Sequence, residues 1–179
     1  MLSFGVNPSP RIIFIYSPII FYAFMDTENL KNIIRNIVEK ATALKNKHIA
    51  DKDAPVNYAC IFSQSQEEYT ELLAASKRIG TITEETPTGF LFQITPLKTV
   101  SGVLKILKIR VPDVTRPERG DADFTVSNFP DFKKKYLPKN GWSLIKKRED
   151  FEMLEVMDPE FNVRAYFSNP PLDEQLGIK

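Results

Sequence analysis

From Asp26 onward the chain carries apolar residues at helical spacing: Leu30, Ile33, Ile34, Ile37, Val38, Ala41 and Leu44 recur every three or four positions. Such a stripe predicts one long amphipathic helix, capped by Asp26 or Thr27, with Glu28 in the first turn where the helix dipole favours an anion. The pattern fades near His48, and the polar stretch that runs to Pro55 marks that histidine as a solvated loop residue. Residues 56–62 (VNYACIF) are a continuous apolar run following a proline, and they predict a buried strand with Cys60 inside it as a small core hydrophobe. Ser65 to Glu68 then spell a capping box, and Tyr69, Leu72, Leu73 and Ile79 follow on one face of a second helix. Gly80 stands where helices commonly end in the left-handed conformation.

Beyond Gly80 the period shortens to that of a strand. Residues 81–86 and 90–95 flank Pro87, Thr88 and Gly89, a turn signal, and predict a hairpin whose Phe90, Phe92 and Ile94 face the helices. After a loop at 96–102, residues 103–110 resume the sheet with Leu104, Ile106, Lys108 and Arg110 on one face. On the next strand Asp121, Asp123 and Thr125 share a face opposite Phe124 and Val126. Antiparallel pairing of these two strands would bring Lys108 and Arg110 near Asp121 and Asp123, with Arg116, Glu118 and Arg119 above them. A short helix capped by Ser127 or Asn128 carries Phe129, Phe132, Tyr136 and Leu137 and closes at Pro138. Residues 142–145, 151–157 and 162–167 read as three more strands with hairpin-length connections, and the tail after Ser168 leaves the sheet. Helices followed by consecutive short strands predict an α+β fold, with N-terminal helices packed on a largely antiparallel sheet joined by hairpin and meander connections. No internal repeat is visible along the chain.

Composition narrows the chemistry. At 179 residues the chain suits a single domain, here expected over residues 26–170, with 171–179 as a C-terminal tail. A formal charge of +1 removes any whole-chain electrostatic case for nucleic acid or an acidic membrane as partner. One cysteine and one histidine leave no intrachain disulfide and too few ligands for an ordinary zinc site, so no metal is assigned, the cofactor is left unspecified, and a cytoplasmic location is expected. Residues 1–24 differ from the rest: Arg11 is their one charged residue, and the apolar run 12–24 is interrupted by Pro18. The run is shorter than the roughly 20 residues of a transmembrane helix, so no span is expected. It reads as a leader: an over-long start before Met25 or a disordered segment, a signal-like or anchoring segment, or a strand of the fold.

No phosphate-binding glycine loop, nucleophile elbow or HExxH motif is present. What remains is a crowd of guanidinium and carboxylate groups in one strand-loop-strand stretch, residues 105–126: Arg110, Asp113, Arg116, Glu118, Arg119, Asp121 and Asp123. Arginine forks bind carboxylate or phosphate in a bidentate way, so Arg110, Arg116 and Arg119 are the candidates for holding a small anionic molecule. Asp121 and Asp123 would orient them or hold a divalent metal ion through oxygen ligands, and Glu118 or Glu152 would carry a proton if the ligand is turned over. The bland reading is a purely structural ion-pair network in a structural or protein-interaction domain. A different class of function rests on the basic stretch 133–148, where Lys133, Lys134, Lys135, Lys139, Lys146, Lys147 and Arg148 are interleaved with Tyr136 and Trp142. Such a face would suit nucleic acid, although a solvated helix flank explains it as well.

Overall fold

The computed structural model describes residues 25–50 and 52–178, so the three readings of the 1–24 leader fall outside the described residues. Helix α1 (Thr27–His48) starts where the Asp26 carboxylate accepts the Asn29 N–H at 2.7 Å, and it buries Leu30, Ile34, Ile37, Val38, Ala41 and Leu44. His48 is its last residue rather than a solvated loop position. Its Nε2 lies 2.8 Å from Oδ2 of Asp158, a carboxylate shared with Lys47. Strand β1 (Val56–Phe62) is buried along its whole length. Helix α2 (Gln66–Ile79) begins at Ser65, whose hydroxyl accepts the Glu68 N–H at 3.1 Å. At Gly80 the backbone is extended, not left-handed, and the helix passes directly into strand β2 (Gly80–Thr86). A side chain at Gly80 would place its Cβ 2.4 Å from the Gln93 carbonyl oxygen, so the glycine serves close strand packing and not a cap.

Strands β3 (Gly89–Thr99), β4 (Gly102–Arg110) and β5 (Gly120–Phe124) follow, then α3 (Phe129–Tyr136), β6 (Trp142–Arg148), β7 (Phe151–Val156), β8 (Arg164–Asn169) and a single turn α4 (Leu172–Gln175). The eight strands form one sheet in the order β2-β3-β4-β1-β5-β8-β7-β6. Helices plus a mostly antiparallel sheet are as expected; only the β1–β4 and β5–β8 pairs are parallel.

The expected pairing of β4 with β5 is corrected. β1 lies between them, parallel to β4 and antiparallel to β5. The physical reason was visible in the apolar run itself, because a strand buried on both faces needs a neighbour on each side and covered surfaces above and below. The topology also holds a duplication that the sequence hides. β1-α2-β2-β3-β4 and β5-α3-β6-β7-β8 share one connectivity, each with its first strand parallel to its last, and the two halves meet at the antiparallel β1–β5 pair.

One face of the sheet shares its core with the helices. Leu30, Ile34 and Leu72 belong to the same buried cluster as Ala59, Ile61, Phe92, Ile109, Phe124 and Phe167. Beneath α3, Phe132 packs with its ring centroid 4.6 Å from Phe167 and 5.5 Å from Trp142, contacts worth about 0.5–1.5 kcal/mol each beyond area burial. The other face carries two smaller clusters. Tyr58, Cys60, Phe62, Leu91 and Ile106 are covered by Leu172, Leu176 and Ile178 of the C-terminal segment, and Phe151, Met153 and Tyr166 also meet Leu172. Among the described residues no helix is long and apolar enough to cross a membrane.

Candidate functional site

Alternation along β4 and β5 sends Ile109 and Phe124 to the helix side, and Lys108, Arg110 and Asp121 to the opposite side. There the sheet bounds a cavity of about 430 Å3. Glu84 and Thr86 from one edge strand, and Lys146 and Arg148 from the other, line it together, so the sheet is curved enough to bring its two edges to the same space. The register sets the floor: Leu91, Lys108, Cys60, Asp121 and Arg164 occupy successive paired positions across β3, β4, β1, β5 and β8.

The lining is amphipathic. Lys108, Arg110, Arg116, Lys146 and Arg148 supply five cations against two acids, Glu84 and Asp121, while Leu91, Phe151, Met153, Leu172 and Leu176 supply apolar wall. Among the described residues no carboxylate lies within ion-pair distance of Lys108, Arg116, Lys146 or Arg148. Lys108 donates instead to the Thr86 and Thr88 hydroxyls at 2.9 and 2.7 Å. Burial lowers its pKa from the ordinary lysine value. Arg116 donates to the Tyr166 hydroxyl at 3.2 Å, and Arg110 and Arg116 both lie over the Phe62 ring, at 5.7 and 5.8 Å from its centroid. Arg110 also pairs with Asp113 at 3.0 Å.

Asp121 is 5% exposed, and its Oδ1 has no hydrogen-bond partner. Burial, followed by the charge of neighbouring Asp123, pushes its carboxyl up to about 8, against the pull of Arg116, Lys108 and Arg110. Asp123 lies one step deeper and does not reach the cavity. It accepts from the Ser168 backbone N–H and from Asn57 Nδ2, both at 3.2 Å, and from the Ser168 hydroxyl, and burial raises it to about 6. The Cys60 thiol, fully buried beside Asp121, is held well above the ordinary thiol range by that burial, and so stays un-ionised.

The charged crowd seen in the sequence therefore divides. Arg110, Arg116 and Asp121 face the cavity. Arg119 turns the other way, where its guanidinium bonds the Phe62 carbonyl at 2.8 Å and the Glu68 carboxylate, tying β1 to the start of α2. Glu118 and Glu155 are bridged by Arg164 at 2.8 and 2.9 Å, and Glu155 also accepts from the Tyr166 hydroxyl at 2.8 Å. Glu152 pairs with Lys133 beside α3, away from the cavity. Of the basic stretch, Tyr136 and Trp142 are buried and stack on each other at 5.1 Å inside the core, so they are not exposed platforms for bases.

Several lining residues were outside the sequence expectation. Lys146 and Arg148 reach the site because β6 continues past residue 145, and their alternate spacing on a strand was the available signal. Leu172 and Leu176 arrive because the tail folds back over the sheet; their spacing of four was a faint sign of an apolar helical face. Among the described residues no group of three or more His, Cys, Asp or Glu side chains converges to hold a metal ion.

No family model matches the chain, and no curated protein matches it in sequence. Among solved structures, one described as "Structural Genomics, Protein EC4020" superposes with a TM-score of 0.65 at 11% identity, covering 84% of this chain and 91% of that chain. A glyoxalase/bleomycin resistance protein/dioxygenase superfamily member from Vibrio splendidus 12B01 gives a TM-score of 0.37 at 9% identity, over 64% of this chain and 97% of that one. The first is a likeness of fold; the second, at this score, is too slight to bear on function.

Proposed function

We propose that the protein binds a small organic anion in the cavity on the open face of its sheet, with the charged end among Lys108, Arg110 and Arg116 and an apolar body against Phe151, Met153 and Leu172. The observation that carries this is the imbalance of the lining: five cations border one cavity with two acids, and four of the cations lack a carboxylate partner. Unpaired cations on low-dielectric walls create a field that an anion relieves. The apolar share of the wall selects against a bare inorganic ion, because burying hydrocarbon contributes about 25 cal/mol per Å2. Arg119, Glu118 and Glu152 have structural roles in this account, and Asp121 is the acid that meets the ligand.

The test is a fluorescence titration with 8-anilinonaphthalene-1-sulfonate, an organic anion with an apolar body. Saturable one-to-one binding is expected, weakening as salt is raised. Arg116→Ala should weaken it about tenfold or more, the equivalent of one charge-assisted hydrogen bond, with near-ultraviolet circular dichroism unchanged. Lys147→Ala, on the basic stretch but outside the cavity, should bind as the wild type does. Equal affinity in Arg116→Ala and wild type would remove the cavity from consideration.

A further inference from the structure

Asp121 is the feature the binding account leaves unexplained. A carboxylate on the floor of a site built for an anion would repel its own ligand. Yet the chain puts one there, nearly sealed from water and with Oδ1 aimed at no donor. Neither of the usual structural reasons applies, since no ion pair among the described residues holds Asp121, and the bonds that order this part of β5 belong to Asp123. An acid that keeps its proton resolves the conflict, because it turns from a repelling acceptor into a donor.

We infer that Asp121 meets the bound anion as an un-ionised acid and donates its proton in a hydrogen bond to the ligand's oxyanion, so that it is the residue that recognises the carboxylate or sulfonate head of an organic acid. This rests on the proposed anion site and adds to it the identity of the recognising group. The surroundings are consistent with the assignment. Facing Asp121 are Tyr58 and Cys60 from β1, Lys108 and Arg110 from β4, Arg116 from the following loop, Asp123 from its own strand, and Tyr166 and the paired position Arg164 from β8, the latter engaged with Glu118 and Glu155. Tyr58, Cys60 and Tyr166 are all raised by burial and stay neutral, so none supplies a competing charge. Asp121 is raised to about 8 in the empty site, and an anion placed beside it would raise it further. Lys108, lowered by burial, is the other group on the floor whose titration would weaken anion binding as pH rises.

The experiment repeats the anilinonaphthalene sulfonate titration from about pH 6 to about pH 10 on the wild type, Asp121→Asn and Lys108→Met, because the sulfonate stays ionised throughout and any pH dependence belongs to the protein. Wild-type affinity should hold to about pH 8 and then fall toward tenfold per unit. Asp121→Asn keeps a donor and loses the titration, so it should match the wild type at neutral pH and keep its affinity beyond the wild-type break. Lys108→Met should bind more weakly at every pH and keep a break, moved to higher pH because the Lys108 charge helps hold the Asp121 carboxyl down. If Asp121→Asn binds more tightly than wild type at neutral pH, or shows the same break, Asp121 is not the protonated donor. Absence of binding in wild type, or insensitivity to Arg116→Ala, would instead remove the anion site itself.

Discussion

The two buried aspartates of β5 make a prediction about folding that needs no ligand. An unfolded aspartate releases its proton near the ordinary value of 3.8, whereas folded Asp123 holds its proton to about 6 and folded Asp121 to about 8. Between those limits the native state binds more protons than the unfolded state, so stability falls as pH rises, by about 1.4 kcal/mol per unit for each group. Both groups contribute between about pH 4 and 6, and Asp121 alone between about 6 and 8. Asp113 and Asp158, whose carboxyls are lowered in the fold, add stability that is complete above the ordinary value and lost only in acid, so they leave the upper window untouched. Urea denaturation followed by circular dichroism at several pH values reads the slope directly. Asp121→Asn should remove a fall of about 1.4 kcal/mol per unit between about pH 6 and 8. Asp123→Asn should halve the slope of the lower window, where Asp121 still contributes, and shorten the upper one slightly, because Asp123 is the second cause of the Asp121 shift. Parallel wild-type and Asp121→Asn curves across the upper window would refute the claim that burial holds this acid protonated.

Arg164→Met leaves Glu118 and Glu155 facing each other without their shared guanidinium, and should destabilise the fold by about 3–5 kcal/mol in the same urea assay. Cys60, buried at the cavity floor and held un-ionised, should react with a disulfide-exchange reagent far more slowly in the native protein than in urea; equally rapid labelling of both would contradict its placement. Gly120→Ala would set a Cβ 2.2 Å from the Cys60 carbonyl oxygen and 2.9 Å from Ile37 Cδ1, and should destabilise by about 3 kcal/mol by thermal or urea melts.

Local elements were legible in the sequence because local physics fixes them. The stripe from Leu30 to Leu44, the Ser65 cap and the Gly89 turn each recur in the structure within a residue or two. Strand order was not legible, because alternation states which residues share a face and says nothing of which strand lies beside which. The site was partly legible for the same reason. Lys108, Arg110 and Asp121 do come together, across β1 and not by direct pairing. Arg119 points to the other side because Glu68, fifty-one residues earlier, offers it a carboxylate at the start of α2. Glu118 likewise is taken by Arg164, forty-six residues away. Partners so distant in sequence leave no trace in a local pattern. The apolar cover from Leu172 and Leu176 was hidden by two prolines that read as the end of the fold.

Amide chemical-shift mapping, with nitrogen-proton spectra of the wild-type protein recorded while anilinonaphthalene sulfonate is added, locates the bound anion residue by residue. The cavity account predicts that the largest shifts fall on Cys60, Lys108, Arg116, Asp121 and Tyr166, and saturate together with the fluorescence. Shifts confined to the part of the basic stretch outside the cavity, from Lys133 to Lys139, or scattered without saturation, would contradict it.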